Sequence, residues 1–464
     1  MKKIASTATI RCKIMRKNEL IVLTITAMSS EGSGIGRYDG MAVFVPMTAV
    51  GDTAEVLILK VKSKCAYGKL LRLITPSPDR EENNCDVFSK CGGCVYRHIS
   101  YSAECQIKQK KVEDAVYRIG GVYMPPQPIC TSNKTERYRN KAQYPINDEG
   151  LGGFYAGHSH RIIPCEDCLL QPKEFAKISE CFSAFLRKRG LSIYNEQTGK
   201  GLVRHLYIRK AEATGQIMVC IVVNGDSLPF SEELVDSLKE ILKDSLKTVV
   251  LNINKEKTNV ILGKRLVAIF GDGYIYDELC GIKVRLSPLS FYQVNRSMAE
   301  KLYKKAAEYA EADGKTILDL YCGAGAIGLS MAKKAKQIIG VEIIPDAVRD
   351  AEYNAELNQI KNARFICNDA ANAASKLKEE GIKPDTVILD PPRKGCSKEL
   401  LITVAEDFCP ERLVYISCDP ATLARDIKIL SELGYDLKEY TPFDLFPRTS
   451  HVETAALFLS DINS

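Results

Sequence analysis

Residues 318–328 read Leu-Asp-Leu-Tyr-Cys-Gly-Ala-Gly-Ala-Ile-Gly, which predicts an apolar strand that passes through a glycine-rich turn into a helix. Glycines at such a turn let the backbone lie close to a bound nucleotide-like ligand, and such ligands bind beyond the carboxyl end of the strand. The Gly-x-Gly-x-x-Gly spacing alone is weak evidence, because it fits a dinucleotide as well as S-adenosylmethionine.

Polar residues also end the next three predicted strands. The second strand ends in Glu342, which is placed to accept hydrogen bonds from two ribose hydroxyls. The third ends in Asp369, placed to bind an adenine, and the fourth in Asp390. Polar residues at four successive strand ends are typical of Rossmann-like methyltransferases, so we expect S-adenosylmethionine as the cofactor. The alternative is an unrelated α/β sheet with acidic loop tips.

The elements on either side of this stretch predict an α/β protein of three modules. Strands and helices alternate from about residue 295 onward, which indicates a mostly parallel, doubly wound sheet. Before residue 76, short β-branched runs separated by Asp-Gly and Gly-Asp turns favour a small, OB-like β-barrel. We therefore expect a β-barrel over 1–76, a central α+β domain over 77–285 and a Rossmann-like methyltransferase domain over 286–464.

The composition is that of an ordinary globular protein. The 464 residues are 45% hydrophobic and 26% charged, and no apolar run approaches the roughly 20 residues that span a bilayer. The first 20 residues lack the apolar stretch of a signal peptide. Seventeen cysteines without export indicate a reducing compartment, in which cysteines are metal ligands, nucleophiles or core residues. We therefore expect a cytoplasmic monomer that binds no membrane.

Positive charge is concentrated near the N-terminus. Residues 1–75 hold 12 Lys or Arg against 5 Asp or Glu, whereas the net charge of the whole chain is only +6. A basic terminal module on a near-neutral body indicates contact with a polyanion such as RNA. An ordinary solvated surface is an equally good interpretation of the charge alone.

Cys418 follows the fifth predicted strand, residues 412–416, at the same crevice. A cysteine there can simply be a packing residue, because free cysteine is often buried. The position also suits a nucleophile, since C5 of uracil takes a methyl group readily only after a thiolate has added to C6. A base must then remove the C5 proton. Glu453, at the start of the last predicted strand, is a candidate for that base, and a polar strand end is the alternative.

Three cysteines, Cys85, Cys91 and Cys94, lie within ten residues, and the glycines between the last two let the backbone wrap around a ligand. Such spacing in a cytoplasmic chain indicates a metal site, and four thiolates hold a [4Fe–4S] cluster or zinc. Cys165 and Cys168 are both candidates for the fourth ligand.

Six motifs carry a resemblance to a known family. They are Ser287–Asn295, Asp319–Gly325, Gly340–Glu342, Asp390–Arg393, Ser417–Pro420 and His451–Glu453. The chain resembles the RNA 5-methyluridine (m5U) methyltransferases, and within them the 23S ribosomal RNA uracil-5 branch, which has an N-terminal TRAM domain and an iron–sulfur cluster. The resemblance covers nearly the whole chain in the family's order. Asp419 departs from the pattern, because many relatives have Asn there, and we expect it to alter local hydrogen bonding only.

The resemblance implies a role for each candidate site residue. Cys418 is the nucleophile and Glu453 the proton acceptor, while Phe291 binds the target base. A [4Fe–4S] cluster is held by four cysteines, with Cys168 favoured over Cys165 as the fourth ligand. The cofactor-binding residues are Gln293, Tyr321, Ala326, Glu342, Asp369 and Asp390, and the cluster ligands are Cys85, Cys91, Cys94 and Cys168.

The expected substrate is a uridine in 23S ribosomal RNA, unstacked into the pocket because a duplex hides C5 and C6. The basic barrel and the stretch Arg137–Lys141, an aromatic residue among cations, are candidate RNA contacts, although that stretch can equally be an edge strand. The alternatives are the same chemistry on transfer RNA, or an iron–sulfur RNA-binding protein without catalysis.

Overall fold

The computed structural model describes residues 15–460, so residues 1–14 and 461–464 of the predicted first and last domains lie outside the described residues. The chain divides into two compact units. The first contains residues up to Ser89 together with Cys94–Ile107 and Arg448–Ser450, and the second contains the remainder. This division does not test the predicted boundaries after residues 76 and 285, which stay predictions.

The first unit contains a closed five-stranded barrel, which confirms the predicted small β-barrel. Ile21, Leu23 and Ile25 alternate into its core, as expected of strands with one buried face. Asp39 and Gly40, both at positive φ, turn the chain from the second strand to the third, as the type I′ hairpin requires. The strands are β1 (Leu20–Met28), β2 (Gly34–Tyr38), β3 (Met41–Val45), β4 (Thr53–Val61) and β5 (Cys65–Thr75), in the order β1-β2-β3-β5-β4.

A mixed five-stranded sheet in the second unit provides the predicted central α+β region. Two helices cover one of its faces with aliphatic and aromatic side chains. The sheet, in the order β12-β11-β10-β9-β6, consists of β6 (Lys141–Pro145), β9 (Val203–Lys210), β10 (Ile217–Val223), β11 (Leu246–Ile253) and β12 (Arg265–Phe270). The other elements are α1 (Tyr101–Ala115), the hairpin β7 (Gly153–Tyr155) and β8 (Ile162–Pro164), α2 (Lys173–Arg189), α3 (Ser231–Leu242), and the hairpin β13 (Ile275–Leu279) and β14 (Ile282–Leu286).

The predicted doubly wound domain is a seven-stranded sheet in the order β17-β16-β15-β18-β19-β21-β20. Its first five strands are parallel, and β21 is antiparallel to both neighbours. The strands are β15 (Thr316–Leu320), β16 (Gln337–Glu342), β17 (Ala363–Cys367), β18 (Thr386–Leu389), β19 (Arg412–Ser417), β20 (Tyr435–Phe443) and β21 (Glu453–Ser460). The helices are α4 (Arg296–Ala310), α5 (Ala326–Met331), α6 (Pro345–Leu357), α7 (Ala370–Glu379), α8 (Lys398–Ile402) and α9 (Pro420–Glu432).

Helices cover both faces of this sheet, which explains why its central strands are largely apolar. Every residue of β15 is buried, with Ile317 in the core on one face and Leu318 and Leu320 in the core on the other. The chain leaves β15 towards β16 and returns to β18 on its other side, so the strand order reverses between β15 and β18. Ligands of doubly wound sheets bind at such a reversal, beyond the carboxyl ends of the strands. Among the helices of residues 15–460, none is long and apolar enough to cross a membrane.

Candidate active site

The glycine turn after β15 is built for a close ligand. Tyr321, Gly323 and Gly325 all have positive φ, which folds the backbone back over the end of the strand. A Cβ added to Gly323 meets no atom within 4 Å, so space lies open beside it. A Cβ on Gly328 would lie 2.9 Å from Asp319 Oδ2, so this glycine allows α5 to pack against β15. The spacing therefore leaves room for the predicted ligand beside Gly323, and at Gly328 it also serves helix packing, which was not predicted.

Two acidic side chains flank this turn. Glu342 accepts hydrogen bonds from the backbone N–H groups of Gly323 (3.1 Å) and Ile344 (2.9 Å). Asp319 is buried, and its Oδ2 accepts from the N–H of Gly328 at 3.0 Å. Its Oδ1 is buried without a hydrogen-bond partner among the described residues. Burial raises the pKa of Asp319 to about 7 despite the Gly328 bond, and the charge of Asp390 adds to the shift. An unsatisfied carboxylate beside an open glycine turn fits a cationic ligand with hydroxyl groups.

The other predicted cofactor residues lie on neighbouring strand ends. Asp369 follows β17 and caps α7, where its Oδ1 accepts from Ala371 N at 3.0 Å. Ala326 begins α5 directly after the glycine turn. Tyr321 is half-buried, and burial together with a hydrogen bond to Cys396 raises its pKa. The structure thus places these residues around the turn, and their contacts with the cofactor stay a prediction.

Cys418 and Glu453 are neighbours by strand register. Ser417 at the end of β19 pairs with Thr454 of β21, so the next step of this antiparallel ladder sets Cys418 opposite Glu453. Directly opposed residues in such ladders have Cβ atoms about 4.5–5.5 Å apart. The two residues therefore face each other at the ligand-binding edge of the sheet, next to the end of β18.

The electrostatics of this pair are unusual. Burial raises the pKa of the Cys418 thiol to about 11, and the charges of Glu453 and Asp390 add to that shift. Burial also raises the pKa of Glu453 to about 8, with Asp390 raising it further and Arg393 opposing. Asp390 is partly buried, and burial raises its pKa to about 7. At neutral pH these carboxyl groups are therefore only partly ionised, and a positively charged ligand would favour their ionised forms.

Phe291 is presented on a firmly held loop. Its side chain is 67% exposed, although the loop beneath it is fixed. The buried guanidinium of Arg209 donates to the carbonyls of Ser287 (2.9 Å) and Ser290 (2.8 Å). Such an exposed aromatic ring on a rigid support suits stacking on an unpaired base. Arg209 was not predicted, because it lies in β9, almost 80 residues earlier in the chain.

The stretch Arg137–Lys141 makes several structural contacts and leads into β6, which lies at the edge of the central sheet and begins at Lys141. Arg137 donates to both carboxylate oxygens of Asp167 (2.5 and 2.7 Å), and Tyr138 is buried. Asn140 Nδ2 donates to the carbonyl of Gln293 at 2.9 Å, so it supports a predicted cofactor residue. Arg139, in contrast, contributes to the positive potential at His451.

The sequence did not reveal that His451 is partly buried and lies among positive charges. Burial lowers its pKa to about 4, and the charges of Arg393, Lys111, Arg139 and Lys108 lower it further. The imidazole is therefore neutral at physiological pH. The His-x-Glu motif singled out its position, but the four cations come from distant segments.

The predicted cluster ligands Cys91 and Cys168 lie in loops or turns of the described chain. Among residues 15–460, no group of three or more His, Cys, Asp or Glu side chains is arranged to hold a metal ion. Cys91 accepts a hydrogen bond from the N–H of Gly93 at 3.3 Å. Cys165 is buried, whereas Cys168 is half-buried in a turn whose carbonyl accepts from Arg137. The cluster therefore stays a prediction from the sequence.

The glycine turn, the acidic strand ends and the reversal of strand order define a Rossmann-like methyltransferase that uses S-adenosylmethionine. The family model described as tRNA (Uracil-5-)-methyltransferase matches residues 101–461, and the TRAM domain model matches residues 17–71. The chain therefore belongs to the uracil-5 RNA methyltransferase family and carries a TRAM domain, as the resemblance implied.

Individual relatives agree with this assignment. A protein of Clostridium tetani described as an RNA methyltransferase is 42% identical over 447 residues, which cover 96% of this chain and 97% of that protein. A relative with the same description from Caldanaerobacter subterraneus is 40% identical over 451 residues, or 96% and 99% of the two chains. The crystal structure of Pyrococcus abyssi tRNA (uracil-54, C5)-methyltransferase with S-adenosyl-L-homocysteine matches with a TM-score of 0.76 and 26% identity. That match covers 95% of this chain and 100% of the archaeal one.

Proposed function

We propose that this RNA uracil-5 methyltransferase acts on a uridine of 23S ribosomal RNA through a covalent adduct between Cys418 and C6 of the base. The observation that carries the covalent mechanism is the register of β19 and β21, which sets a thiol opposite a carboxyl group beside the cofactor crevice. A thiol nucleophile and a base on opposite sides of one small space are what addition and elimination across C5 and C6 require.

The proposed reaction forms one covalent bond between the enzyme and the base and later breaks it. The thiol of Cys418 loses its proton to water, and the resulting thiolate attacks C6 while the electrons of the C5=C6 bond move onto the C4 carbonyl as an enolate. C5 then takes the methyl group, which S-adenosylmethionine supplies from its sulfonium sulfur. Glu453 removes the remaining C5 proton, the C5–H electron pair restores the double bond, and the C6–S bond breaks to return the Cys418 thiolate.

The raised pKa values of Cys418 and Glu453 determine which of the two groups carries a proton before the reaction. The Cys418 thiol and much of Glu453 are protonated near neutral pH, because burial and the charge of Asp390 raise both pKa values. A positive charge beside Asp390 would lower both pKa values, which couples the nucleophile and the base to an occupied cofactor site. Gln293, Tyr321, Ala326, Glu342, Asp369 and Asp390 are the proposed cofactor contacts, and Phe291 the proposed stacking partner of the base.

The choice of RNA is the finer part of the proposal. The cysteine loop and the N-terminal barrel, through the resemblance to the 23S branch, support ribosomal RNA. The transfer RNA alternative is supported by the Pyrococcus abyssi relative, which is described as acting on uracil 54 of tRNA. Family membership, in turn, argues against the non-catalytic RNA-binding alternative.

The test is methyl transfer to both RNA classes. Purified protein with labelled S-adenosylmethionine should label 23S ribosomal RNA from a strain that lacks its gene, and leave transfer RNA from that strain unlabelled. Mass mapping should then place the label at C5 of a uridine. Labelling of transfer RNA alone would contradict the ribosomal assignment while leaving the uracil-5 chemistry intact.

We also propose a [4Fe–4S] cluster on Cys85, Cys91, Cys94 and Cys168. Its support is the sequence spacing of the first three cysteines and the partial exposure of Cys168, in contrast to the buried Cys165. No step of the proposed reaction depends on the cluster.

A further inference from the structure

The segment Asp444–Pro447, which follows β20 and leads towards Glu453, is held by its backbone carbonyls. Three consecutive carbonyls each accept a side-chain hydrogen bond. Asn295 Nδ2 donates to Leu445 O (3.0 Å), Lys108 Nζ to Phe446 O (3.1 Å) and Tyr138 OH to Pro447 O (2.9 Å). The three donors are at most 2% exposed and come from separate parts of the chain. We call Asp444, Lys108, Asn295 and Tyr138 the loop clamp.

The loop clamp contains a fully buried ion pair. Lys108 Nζ lies 2.6 Å from Asp444 Oδ1, and neither side chain is more than 1% exposed. Asp444 Oδ2 is buried without a hydrogen-bond partner among the described residues. Burying such a pair costs free energy that its attraction only partly returns, and replacing both partners by apolar residues is often neutral or stabilising. Stability alone is therefore a weak reason for this pair.

The loop clamp is directly connected to the proposed base. The last pair of the β20–β21 ladder joins Phe443 to Glu453, and Asp444 is the next residue after Phe443. The backbone N–H of Asp444 donates to Cys130 O at 3.0 Å, which fixes the same point from another side. The position of Asp444 and the carbonyls after it thus determines how the hairpin ends beside the Glu453 carboxyl group.

From this geometry we infer that Lys108 and Asp444 are positioning residues that hold Glu453 in line with the C5 proton of the methylated adduct. They touch neither the base nor the cofactor, and act through the backbone of residues 443–447. The inference rests on the proposed function, because it concerns the step in which Glu453 takes the C5 proton and the C6–S bond to Cys418 breaks. Loss of the loop clamp should slow that step more than the preceding addition and methyl transfer.

The experiment replaces the pair without changing net charge. The variant K108M/D444L removes one positive and one negative charge and leaves apolar side chains of similar size. With substrate RNA and S-adenosylmethionine, we expect a tenfold or larger fall in turnover, on the order of a lost general-base contribution. We also expect a denaturation-resistant complex of protein with methylated RNA, which the wild type does not accumulate. A purely structural role would lower the melting temperature or all steps together, without trapping that complex.

Three further variants make the result decisive. K210M breaks the ion pair of Lys210 with Glu174 (2.7 Å), away from the loop, and should accumulate no complex. E453Q should accumulate it. If E453Q does so and K108M/D444L does not, the loop-clamp inference is overturned alone, whereas failure of E453Q overturns the proposed base and the inference with it. If the double variant does not fold, Y138F decides, since it removes a single clamp hydrogen bond. A complex above the wild-type level supports the inference, and one at that level contradicts it.

Discussion

Three carboxyl groups lie in or next to β15, β18 and β21: Asp319 and Glu453 are buried, and Asp390 is partly buried. The charges of Asp390 and Glu453 act on the Cys418 thiol. Burial is the largest cause of the raised pKa of each group. Such clusters lower the stability of the folded protein at high pH, because the acids must then ionise in a buried setting. Groups with shifted pKa values are common at functional sites. At the scale of single residues, the grouping of acids and a thiol therefore lowers the stability of the fold at high pH.

Replacing the proposed nucleophile should separate binding from chemistry. We expect Cys418→Ala to bind S-adenosylhomocysteine like the wild type, and to lose turnover by about 10³-fold or more because no adduct forms. The wild type should form a covalent complex with 5-fluorouridine RNA, which electrophoresis under denaturing conditions detects. Cys181→Ala, on α2 and remote from the strand ends, is the matched control and should retain activity. Near-normal turnover of Cys418→Ala would remove the assignment.

The buried Glu453 carboxyl should reveal itself in the pH dependence of stability. Burial raises its pKa in the folded protein to about 8, well above its ordinary value of 4.5, so the folded state keeps the proton to higher pH. The stability associated with the protonated form is fully present below about pH 4.5 and is lost as pH rises through about 8. Glu453→Gln does not ionise, so we expect its melting temperature to exceed that of the wild type by more at pH 9 than at pH 5. Scanning fluorimetry without ligand measures this, and an equal difference at both pH values would argue against a buried acid.

The sequence placed Cys418 and Glu453 correctly at strand ends, whereas their roles in the reaction stay predictions. Cys418 and Glu453 each follow or begin an apolar run, so their shared edge of the sheet follows from strand direction. Arg209 and Lys108 could not be predicted, because their importance lies in carbonyls about 80 and 340 residues away in the chain. Nothing local in the sequence distinguishes them from surface cations.

At the scale of secondary-structure elements, the glycine turn shows why a short motif predicts a whole domain. The apolar run of β15, the positive φ of Gly325 and the close approach of Gly328 to Asp319 each require the residue type found there. The antiparallel β20–β21 hairpin was harder to predict, since its register depends on pairing with β19. That register, set by long-range contacts, is what brings Cys418 and Glu453 together.

The cysteine loop is the element whose function stays a prediction, and metal analysis tests it. Anaerobically purified protein should be brown with about four irons per chain. Cys168→Ser should bleach it, whereas Cys165→Ser should not, because Cys168 is the proposed fourth ligand. The reverse outcome would move the fourth ligand to Cys165, and stoichiometric zinc in place of iron would contradict the cluster.

At the scale of the whole molecule, the distribution of charge is uneven. The surplus of positive charge lies in residues 1–75, whereas the rest of the chain is close to neutral. The TRAM barrel exposes Lys62, Lys64 and Lys69, and the Lys62 ammonium lies 5.3 Å from the centre of the Tyr67 ring. This combination of cations and an exposed aromatic ring is typical of RNA-binding surfaces.

Removing these charges should weaken RNA binding without affecting chemistry. We expect the triple change of Lys62, Lys64 and Lys69 to Ala to raise KM for RNA and leave kcat unchanged. The slope of log affinity against log salt should fall by about one for each lysine that contacts a phosphate. The matched control changes the exposed Lys255, Lys257 and Lys264 of the second unit, which removes the same charge. Equal effects of the two triple variants would mean that only net charge matters.

The raised pKa values of the three acids also mean that the site holds protons which a ligand can displace. With pKa values of about 7, 7 and 8, Asp319, Asp390 and Glu453 are partly protonated at neutral pH. A cationic ligand favours their ionised forms, so its binding must release protons to the buffer. Calorimetric titrations with S-adenosylmethionine should therefore give different heats in Tris and in phosphate at the same pH. Affinity for the cofactor should rise with pH up to about 8 and then level off.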